Sequence, residues 1–353
     1  MTMNFREILL ENCRRYPKLR GRDLIKLLYQ FSFGCEHLAA DEKTVLARII
    51  SEAESIKSGT PSEVEELGDY CRIGLSYLDL GLSAETLSRI FCLSAKPDEC
   101  GESKLHDGIK IITELADAGL LPISSNEWYA ALYEWKNANF PAVRHSEEYR
   151  ETYSPTYRVI AKKYAMILPL LAKIDTMQRG GEVRLAIEGG SASGKSTLGK
   201  MLAEIYGCAL FRMDDFFLTP SMRTAERLAE AGGNVDRERF LAEVLTPLSR
   251  GEEIAYRRYD CSTGEIMPPE ARKPTHLTVT EGAYSMHPAL ASFYNLSVFL
   301  EITPELQKAR ILKRNSPEMA ERHFSTWIPM EERYFDAFNI RKRCDVTLHA
   351  QEI

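Results

Sequence analysis

The stretch that decides the fold of the C-terminal half lies at positions 189–196 and is Gly189-Gly190-Ser191-Ala192-Ser193-Gly194-Lys195-Ser196. It fits the pattern G-x-x-x-x-G-K-[ST], in which glycines let the backbone curl so that successive N–H groups point inward at phosphate oxygens. Apolar residues at 184–187 predict a strand that enters it, and the pattern at 197–205 predicts a helix that leaves it, which adds partial positive charge. The sequence therefore predicts a phosphate-binding loop, with a chance glycine-rich turn as the alternative.

The last residues of this stretch indicate the kind of phosphate ligand. Lys195 is expected to reach the β- and γ-phosphates of a nucleotide, and the Ser196 hydroxyl is expected to ligate Mg²⁺. The predicted cofactors are therefore ATP and Mg²⁺. The residues of the loop and first helical turn that are predicted to bind them are Gly189, Gly190, Ser191, Ala192, Ser193, Gly194, Lys195, Ser196 and Thr197.

Short apolar runs alternate with helical periods in the second half of the chain. The runs are residues 183–187, 209–213, 277–280, 296–302 and 346–348. Strands separated by helices indicate a parallel sheet with helices on both faces. We therefore predict an α/β fold for residues 182–353, namely a P-loop NTPase parallel sheet, preceded by a mostly α-helical domain.

The first half of the chain has helical periodicity throughout. Apolar residues recur at spacings of three and four in residues 5–13, 24–31, 44–56, 84–91, 104–118 and 127–137. Ser83 and Ser125 precede two of these segments, as N-caps do. We predict a mostly helical domain of unknown role at residues 1–176, whose last helix, 164–174, is bent or broken near Pro169. A polar, glycine-bearing joint at 177–181 is the predicted boundary.

The composition limits the classes of partner that can be expected. The chain has 353 residues, 44% of them hydrophobic, and a formal net charge of −6, which argues against nucleic acid as the main partner. Eight scattered cysteines without a CxxC pair indicate reduced thiols. Residues 1–15 are polar and no apolar run reaches about 18 residues, so neither a secretory signal nor a membrane span is expected. We expect a cytoplasmic protein without a nucleic-acid or membrane partner; a homo-oligomer is left open.

Two acids follow the second apolar run, in the order Met213-Asp214-Asp215-Phe216-Phe217. We expect this run to be the strand next to the one that enters the loop. Carboxylates at the carboxyl end of such a strand lie over the γ-phosphate, where one of them can take a proton from an acceptor hydroxyl or orient a metal-bound water. Solvated turn residues are the alternative, although the two aromatic residues favour a turn anchored in the core.

Two further segments complete the pattern. Residues 277–280 predict a strand that ends at Glu281, which could bind Mg²⁺ or contact acceptor hydroxyls, or be a plain strand-end acid. Arg310 and Arg314 are four residues apart and share a helix face. A basic face that closes over a triphosphate stabilises charge on the transferred group, whereas a solvated face is the alternative.

In combination, GGSASGKST, MDDFF, TEGAY and an Arg-bearing helix resemble the uridine kinase and phosphoribulokinase-like group of P-loop kinases, which also includes nicotinamide riboside kinase and type I pantothenate kinase. The resemblance covers roughly residues 182–350. It implies an ATP-dependent phosphotransferase that acts on a hydroxyl of a small molecule, similar to uridine and other nucleoside kinases.

The resemblance also implies roles for individual residues. Asp214 corresponds to the general base and metal contact of the family, and Glu281 to the acid that contacts the metal or the acceptor. With Lys195 they form the predicted catalytic set, and with the Ser196 hydroxyl they form the predicted metal set. The lid-helix arginines, matched here by Arg310 and Arg314, hold the phosphates of ATP.

The predicted acceptor pocket departs from the nucleoside kinases of this group. Those enzymes carry a Tyr-Asp segment followed by His and Arg; here Tyr259 and Asp260 match, but no His follows nearby. Uridine itself is therefore in doubt. Asp215, Arg258, Tyr259 and Asp260 are the predicted substrate-binding residues. The positive, aromatic stretch at 256–258 suits an acidic or polyhydroxyl acceptor, with a solvated loop as the alternative.

Two other hypotheses remain open. His37 and His145 could together form a metal or substrate site in the helical half, although lone histidines are usually core or surface residues. The protein could instead be a nucleotide-dependent regulator, in which the helical domain binds a partner or ligand and ATP acts as a switch. A GTPase is disfavoured, because no Asn-Lys-x-Asp segment is present.

Overall fold

The structure of the protein is a computed structural model. The residues that it describes are 4–35, 41–54, 56, 63–96 and 99–352. The chain divides into two compact units, an N-terminal unit (Met1–Ala172) and a C-terminal unit (Lys173–Ile353). The domain limits predicted from the sequence, 1–176 and 182–353, stay a prediction.

The N-terminal unit consists mainly of helices. They are α1 (Phe5–Arg15), α2 (Gly21–Phe33), α3 (Glu42–Ala53), α4 (Ala84–Ser94), α5 (Gly101–Asp117), α6 (Ser125–Asn137), α7 (Glu147–Tyr153) and α8 (Lys162–Ala165), with α9 (Leu168–Gln178) crossing the division between the units. This agrees with the predicted mostly helical domain. The predicted last helix is broken, as expected, into α8 and α9, just before Pro169.

Two predicted N-caps have different outcomes. Ser83 caps α4, because its side chain accepts a hydrogen bond from the N–H of Thr86. The predicted cap of α6 is wrong by one residue: Ser124 accepts the bond from the N–H of Glu127. Ser125 is instead the first residue of the helix, and its hydroxyl donates to the carbonyl oxygen of Ala116.

A small sheet in the N-terminal unit was not predicted. Its strands, in the antiparallel order β1-β2-β3, are β1 (Val64–Leu67), β2 (Tyr70–Gly74) and β3 (Tyr157–Ala161). The central strand β2 is buried on both faces, including the charged side chain of Arg72. Such a strand lacks the period-two alternation of apolar and polar residues by which strands are recognised.

The C-terminal unit is built on a parallel sheet. Its strands are β4 (Val183–Gly189), β5 (Ala209–Arg212), β6 (Ile254–Asp260), β7 (Glu265–Arg272), β8 (Leu277–Glu281), β9 (Leu296–Glu301) and β10 (Val346–His349). Five of them form the parallel order β10-β9-β4-β8-β5, and β6 and β7 form a separate antiparallel hairpin. The α/β fold class is confirmed.

One detail of the predicted topology is wrong. The strand that leads to Asp214 is β5, and it pairs with β8 at the edge of the sheet. The neighbour of the loop-entering strand β4 is β8, which ends at Glu281. Periodicity locates strands along the chain, but their order depends on contacts between distant segments.

Helices pack around this sheet. They are α10 (Lys195–Tyr206), α11 (Ala225–Ala229), α12 (Arg237–Phe240), α13 (Thr246–Ser249), α14 (Pro288–Ala291), α15 (Pro304–Arg314), α16 (Pro317–Arg322), α17 (Ile328–Ala337) and α18 (Ile340–Arg343). Single π-helical segments, Leu241–Leu245 and His323–Trp327, continue α12 into α13 and α16 into α17.

The two faces of the sheet are covered differently. A Cβ atom added to Gly199 of α10 would lie 3.0 Å from Leu210 Cδ1, so α10 packs closely on the face that carries Leu210. Side chains alternate along a strand, so the next residue, Phe211, points to the opposite face. There its ring packs against Tyr256 with centroids 5.3 Å apart.

Within the described part of the chain, no helix combines the length and the apolar character needed to cross a membrane. All eight cysteines belong to that part and are free thiols. Burial raises the pKa of several of them, for example that of Cys71 to about 12, so these thiols are protonated and unreactive at neutral pH.

The glycine after β8 provides a test of the packing at the sheet edge. Gly282 has a φ of 141°, and an added Cβ atom would lie only 2.6 Å from the Cβ of Met213. We expect Gly282→Ala to lower the free energy of unfolding of the C-terminal unit by about 2 to 3 kcal/mol, measured by urea denaturation, through backbone strain and overpacking together.

Gly207→Ala is the matched control for this substitution. Gly207 also has positive φ, 62°, but no described atom lies within 4 Å of its added Cβ. Only the backbone cost of about 1 kcal/mol is expected there. Equal losses for the two variants would contradict a packing constraint at Gly282.

Candidate active site

The loop at residues 189–196 has an unusual backbone. Three of its residues have positive φ: Gly189 at 145°, Ala192 at 60° and Gly194 at 106°. A Cβ atom added to Gly189 would lie 2.6 Å from the carbonyl oxygen of Leu300 in β9, so only glycine fits there. The loop is therefore tightly curled between the end of β4 and the start of α10, as the sequence predicts.

Lys195 is the first residue of α10, and its side chain folds over the loop. Its Nζ donates to the carbonyl oxygens of Gly189 at 2.8 Å and Gly190 at 2.9 Å. The ammonium group thus lies beside the curled backbone. A phosphate that binds there would meet this charge together with the N-terminus of the helix.

Glu281 and Ser196 lie side by side. Glu281 ends β8, is only 3% exposed and forms a side-chain hydrogen bond with Ser196. Burial raises the pKa of Glu281, while the charges of Lys195 and Arg212 and the bond from Ser196 act against that rise. The Arg212 Nε lies 3.8 Å from Glu281 Oε1. The charge of Asp214 also raises this pKa, so Asp214 is close enough to act on the same group.

These three predicted metal residues suit Mg²⁺, which prefers carboxylate and hydroxyl oxygens. Among the described residues no group of three or more His, Cys, Asp or Glu could hold a metal ion. A Mg²⁺ ion beside Ser196 and Glu281 would therefore depend on phosphate oxygens and water for its other ligands. The donor set fits an ion that arrives with a nucleotide.

The turn that carries Asp214 and Asp215 is anchored by aromatic packing. Phe216 is fully buried, its ring meets that of Phe240 at a centroid distance of 4.8 Å, and the Arg239 guanidinium lies 4.3 Å from its centroid. Asp214 is exposed, and Asp215 is half-buried. Burial raises the pKa of Asp215, which the charge of Arg258 counteracts.

Glu331 is a functional candidate that the sequence analysis missed. This residue of α17 is 7% exposed, and its carboxylate accepts hydrogen bonds from the N–H of Ser191 at 2.7 Å and from the Ser191 hydroxyl at 2.8 Å. Burial raises the pKa of Glu331, while the charge of Lys195 lowers it. No local motif marks this acid, which contacts the loop across 140 positions of sequence.

Glu188, the residue before the loop, was also missed. Its carboxylate is fully buried and accepts hydrogen bonds from the N–H groups of Gly189 at 3.0 Å and Met286 at 3.1 Å, and from the Tyr334 hydroxyl at 3.0 Å. Burial raises the pKa of Glu188 to about 7, against the effect of these donors. Tyr334 lies one helical turn after Glu331, so one face of α17 holds both the loop and the strand before it.

The helix α15 supports the loop from its carbonyl side. Gln307 Nε2 donates to the carbonyl oxygen of Ser191 at 2.9 Å, and Arg310 Nη1 donates to those of Ala192 at 3.2 Å and Ser193 at 3.4 Å. Arg314 is exposed at the end of the helix. The predicted contacts of Arg310 and Arg314 with ATP phosphates stay a prediction.

The predicted acceptor residues lie in and beside the hairpin of β6 and β7. Arg258 pairs with Glu270 at 2.6 Å, and Tyr259 is buried, with its hydroxyl 3.4 Å from Arg223 Nη2. Asp260 accepts hydrogen bonds from the N–H and hydroxyl of Ser262, which shape the hairpin turn. Arg258 acts on Asp215 through its charge, so these two residues are brought together.

The predicted histidine pair cannot be assessed as a pair, because His37 lies outside the described residues. His145 is buried, and its Nδ1 lies 2.9 Å from Asp23 Oδ1.

Glu188 leads to a prediction about stability and pH. The native carboxyl has a pKa of about 7, against an ordinary 4.5, so between these values the native state retains a proton that the unfolded state has lost. The free energy of unfolding should therefore fall as pH rises through this window, by at most about 3 kcal/mol from this group. Thermal melts at pH 5 and pH 8 should show a smaller decrease for Glu188→Gln than for the wild type.

The control for this measurement is Glu182→Gln, an exposed acid near the start of the same strand, which should keep the wild-type pH dependence. The readout is the change in stability between pH 5 and pH 8. Loss of hydrogen bonds lowers the stability of Glu188→Gln equally at both pH values, so it does not affect this difference. An unchanged decrease in Glu188→Gln would contradict a raised pKa for this group.

The family model described as Phosphoribulokinase / Uridine kinase family matches residues 185–328. A phosphoribulokinase from Synechocystis sp. is 26% identical over 152 residues, which cover 42% of this chain and 45% of that protein. The chain therefore spans less than half the length of this curated relative.

Two solved structures show weaker similarity. One, described as a possible uridine kinase from Bacillus stearothermophilus, has 20% identity and a TM-score of 0.38, and the match covers 51% of this chain and 98% of that one. The other, a shikimate kinase from Acinetobacter baumannii, has 17% identity and a TM-score of 0.25, with 47% and 83% covered. At these TM-scores neither supports an argument. The resemblance predicted from the motifs is confirmed by the family match itself: residues 185–328, in the C-terminal region, match the model of the phosphoribulokinase and uridine kinase family.

Proposed function

We propose that the protein is a kinase that transfers the γ-phosphoryl group of ATP to a hydroxyl of a small molecule, in the manner of uridine and other nucleoside kinases. The observation that supports this best is the curled loop at 189–196, with Lys195 over it and Glu281 hydrogen-bonded to Ser196. The family match over residues 185–328 supports a kinase and leaves the acceptor open.

In this proposal the loop and its neighbours position the phosphates. Lys195 would exchange its bonds to the carbonyl oxygens of Gly189 and Gly190 for the β- and γ-phosphates. Ser196, Asp214 and Glu281 would hold Mg²⁺, which when bound neutralises charge on the transferred group. The close approach of Gly189 to β9 and the hydrogen bonds from α15 support a loop backbone that is held in its curled form before a ligand arrives.

Asp214 is the proposed general base. It is exposed at the end of β5 and its charge acts on Glu281, which supports a role close to Ser196 and Glu281. A carboxylate there can accept the proton of an acceptor hydroxyl as that oxygen attacks the γ-phosphorus. The guanidinium of Arg258, which acts on Asp215 and pairs with Glu270, is the cation on the proposed acceptor side, and its donors suit an acidic or polyhydroxyl molecule.

Replacement of the loop lysine tests the proposed transfer. Lys195→Ala is expected to reduce ADP release with a productive acceptor by at least about a hundredfold, since the charge that stabilises the transferring group is lost. The acceptor is found first by screening nucleosides, vitamins and sugar acids for stimulated ADP release. Lys200→Ala, an exposed lysine of the same helix, is the control and should retain activity.

The melting temperature of Lys195→Ala should remain close to that of the wild type, which separates lost chemistry from lost folding. ATP binding without stimulation by any acceptor would favour a nucleotide-dependent switch over a kinase. Full activity of Lys195→Ala would exclude the loop as the site of transfer.

Replacement of the proposed base gives a different kinetic signature. Asp214→Asn should lower kcat by about 10² to 10⁴, because an amide cannot accept the proton, while the Kd for ATP measured by calorimetry changes little. Asp215→Asn, the neighbouring acid, should chiefly raise KM for the acceptor. Normal kcat in Asp214→Asn with the true acceptor would show that another group is the base.

A further inference from the structure

The N-terminal unit contains a cavity of about 240 Å³ that the proposed kinase chemistry does not use. Its walls come from α2, α3, α4 and β3. The residues that matter for its chemistry are Lys26, Gln30, Arg48, His145, Tyr157 and Arg158. All of them belong to the N-terminal unit, whose role the sequence leaves unknown.

The lining of this cavity carries an excess of positive charge. Its charged members are the cations Lys26, Arg48 and Arg158 and the single carboxylate Glu52. Arg158 Nη1 pairs with Glu52 at 2.8 Å. Among the described residues, neither Lys26 nor Arg48 forms an ion pair, so two positive charges face the cavity without a bound counter-charge.

Lys26 is the more strongly desolvated of the two. Its Nζ donates to the carbonyl oxygen of Val143 at 3.1 Å, which uses one of its three N–H groups. Burial lowers the pKa of Lys26 to about 8. A half-buried ammonium with a neutral partner gains most from an incoming anion, because the anion replaces lost solvation.

A fixed polar wall faces these cations. His145 Nε2 lies 2.6 Å from the Tyr157 hydroxyl, and His145 Nδ1 lies 2.9 Å from Asp23. Burial lowers the pKa of His145 to about 4, so the ring is neutral at pH 7. With Asp23 ionised, Nδ1–H donates to Asp23 and the Tyr157 hydroxyl donates to Nε2, while Gln30 Nε2 donates to the Tyr157 oxygen at 3.2 Å.

The wall is held from behind by a buried arginine. Arg72 is 2% exposed, donates two hydrogen bonds to Gln30 Oε1 at 2.7 and 2.9 Å, and lies 4.9 Å from the centroid of the Tyr157 ring. Burying these groups is costly unless every polar atom is paired, as here. The result is a rigid surface, which is what a specific small-molecule site requires.

We propose that this cavity binds a small phosphate monoester, with its phosphate against Lys26 and Arg48 and its organic part against the apolar side chains of Val45 and Phe91. The excess of two positive charges matches a phosphate monoester, which carries about −1.5 to −2 at pH 7. A carboxylate carries only one charge and would leave one cation unpaired. The cavity volume admits a ligand the size of one ring with its phosphate.

Phenyl phosphate is a suitable probe, and benzoate is its carboxylate counterpart. Calorimetric titration of the full-length protein at pH 7 should show phenyl phosphate binding at least several-fold more tightly than benzoate. Lys26→Met keeps the aliphatic stem and removes the charge, so it should weaken phenyl phosphate binding by about tenfold or more. Lys136→Met, an exposed lysine on α6, is the matched control and should bind as the wild type does.

The loop at 189–196 is a second proposed anion site in the same chain. Variants of Lys195 and Lys26 distinguish binding in the loop from binding in the cavity. Phenyl phosphate binding should be unchanged in Lys195→Ala and lost in Lys26→Met. If Lys195→Ala lost phenyl phosphate binding while Lys26→Met retained it, the probe would bind in the loop and the proposal would be overturned. Equal affinity for benzoate, or no binding at millimolar probe, would overturn it as well.

Arg48→Met tests the same cavity at an exposed residue, so its result does not depend on whether Lys26→Met folds. Arg48 is exposed on α3 and makes no ion pair among the described residues, so its replacement should leave the melting temperature unchanged while it weakens phenyl phosphate binding several-fold. Wild-type affinity in Arg48→Met and Lys26→Met alike would refute a role for the cavity cations. The proposal does not rest on kinase activity, so its outcome and that of the acceptor screen are independent.

Discussion

The constraint on which the C-terminal unit depends is the curl of one short loop. Gly189 has a φ of 145° and approaches the backbone of β9 too closely for any side chain, so only glycine allows this curl. The carbonyl oxygens of Ser191, Ala192 and Ser193 accept hydrogen bonds from the side chains of Gln307 and Arg310 in α15. The pairing of β4 with β9 at Gly189 and the hydrogen bonds from α15 thus satisfy polar groups of the loop backbone from two elements. The strand, the loop and the helix are therefore fixed relative to one another.

Much of this unit could be predicted because its signals are local. The loop motif specifies its own strand and helix, and the apolar runs at 209–213 and 296–302 correspond to β5 and β9. The order of strands is not local, and so the strand that leads to Asp214 was expected beside β4, whereas β5 pairs with β8. Glu331 and Glu188 were missed for the same reason, because their importance comes from contacts with residues far away in the sequence.

In the N-terminal unit the sequence predicts the helices but not the residues of greatest interest. Its helices follow a clear periodicity, but its most informative residues are polar side chains buried in a small sheet and against it. Arg72 in β2 is buried although it is charged, and it lies against the half-buried ring of Tyr157 in β3, the strand that pairs with β2. The pairing joins segments more than 80 positions apart, which no window of periodicity can reveal.

The carboxylate of Glu331 on the amide of Ser191 means that the loop already holds an intramolecular anion. A polyphosphate that takes this amide must displace it, and a charge-assisted hydrogen bond of this kind is worth about 1.5 to 3 kcal/mol. If the loop binds a nucleotide, as proposed, the affinity is the difference between two occupants and is lower by roughly ten- to a hundredfold than the loop alone would give. In the proposed kinase the same exchange would run in reverse when ADP leaves, so the acid on α17 would weaken retention of the product.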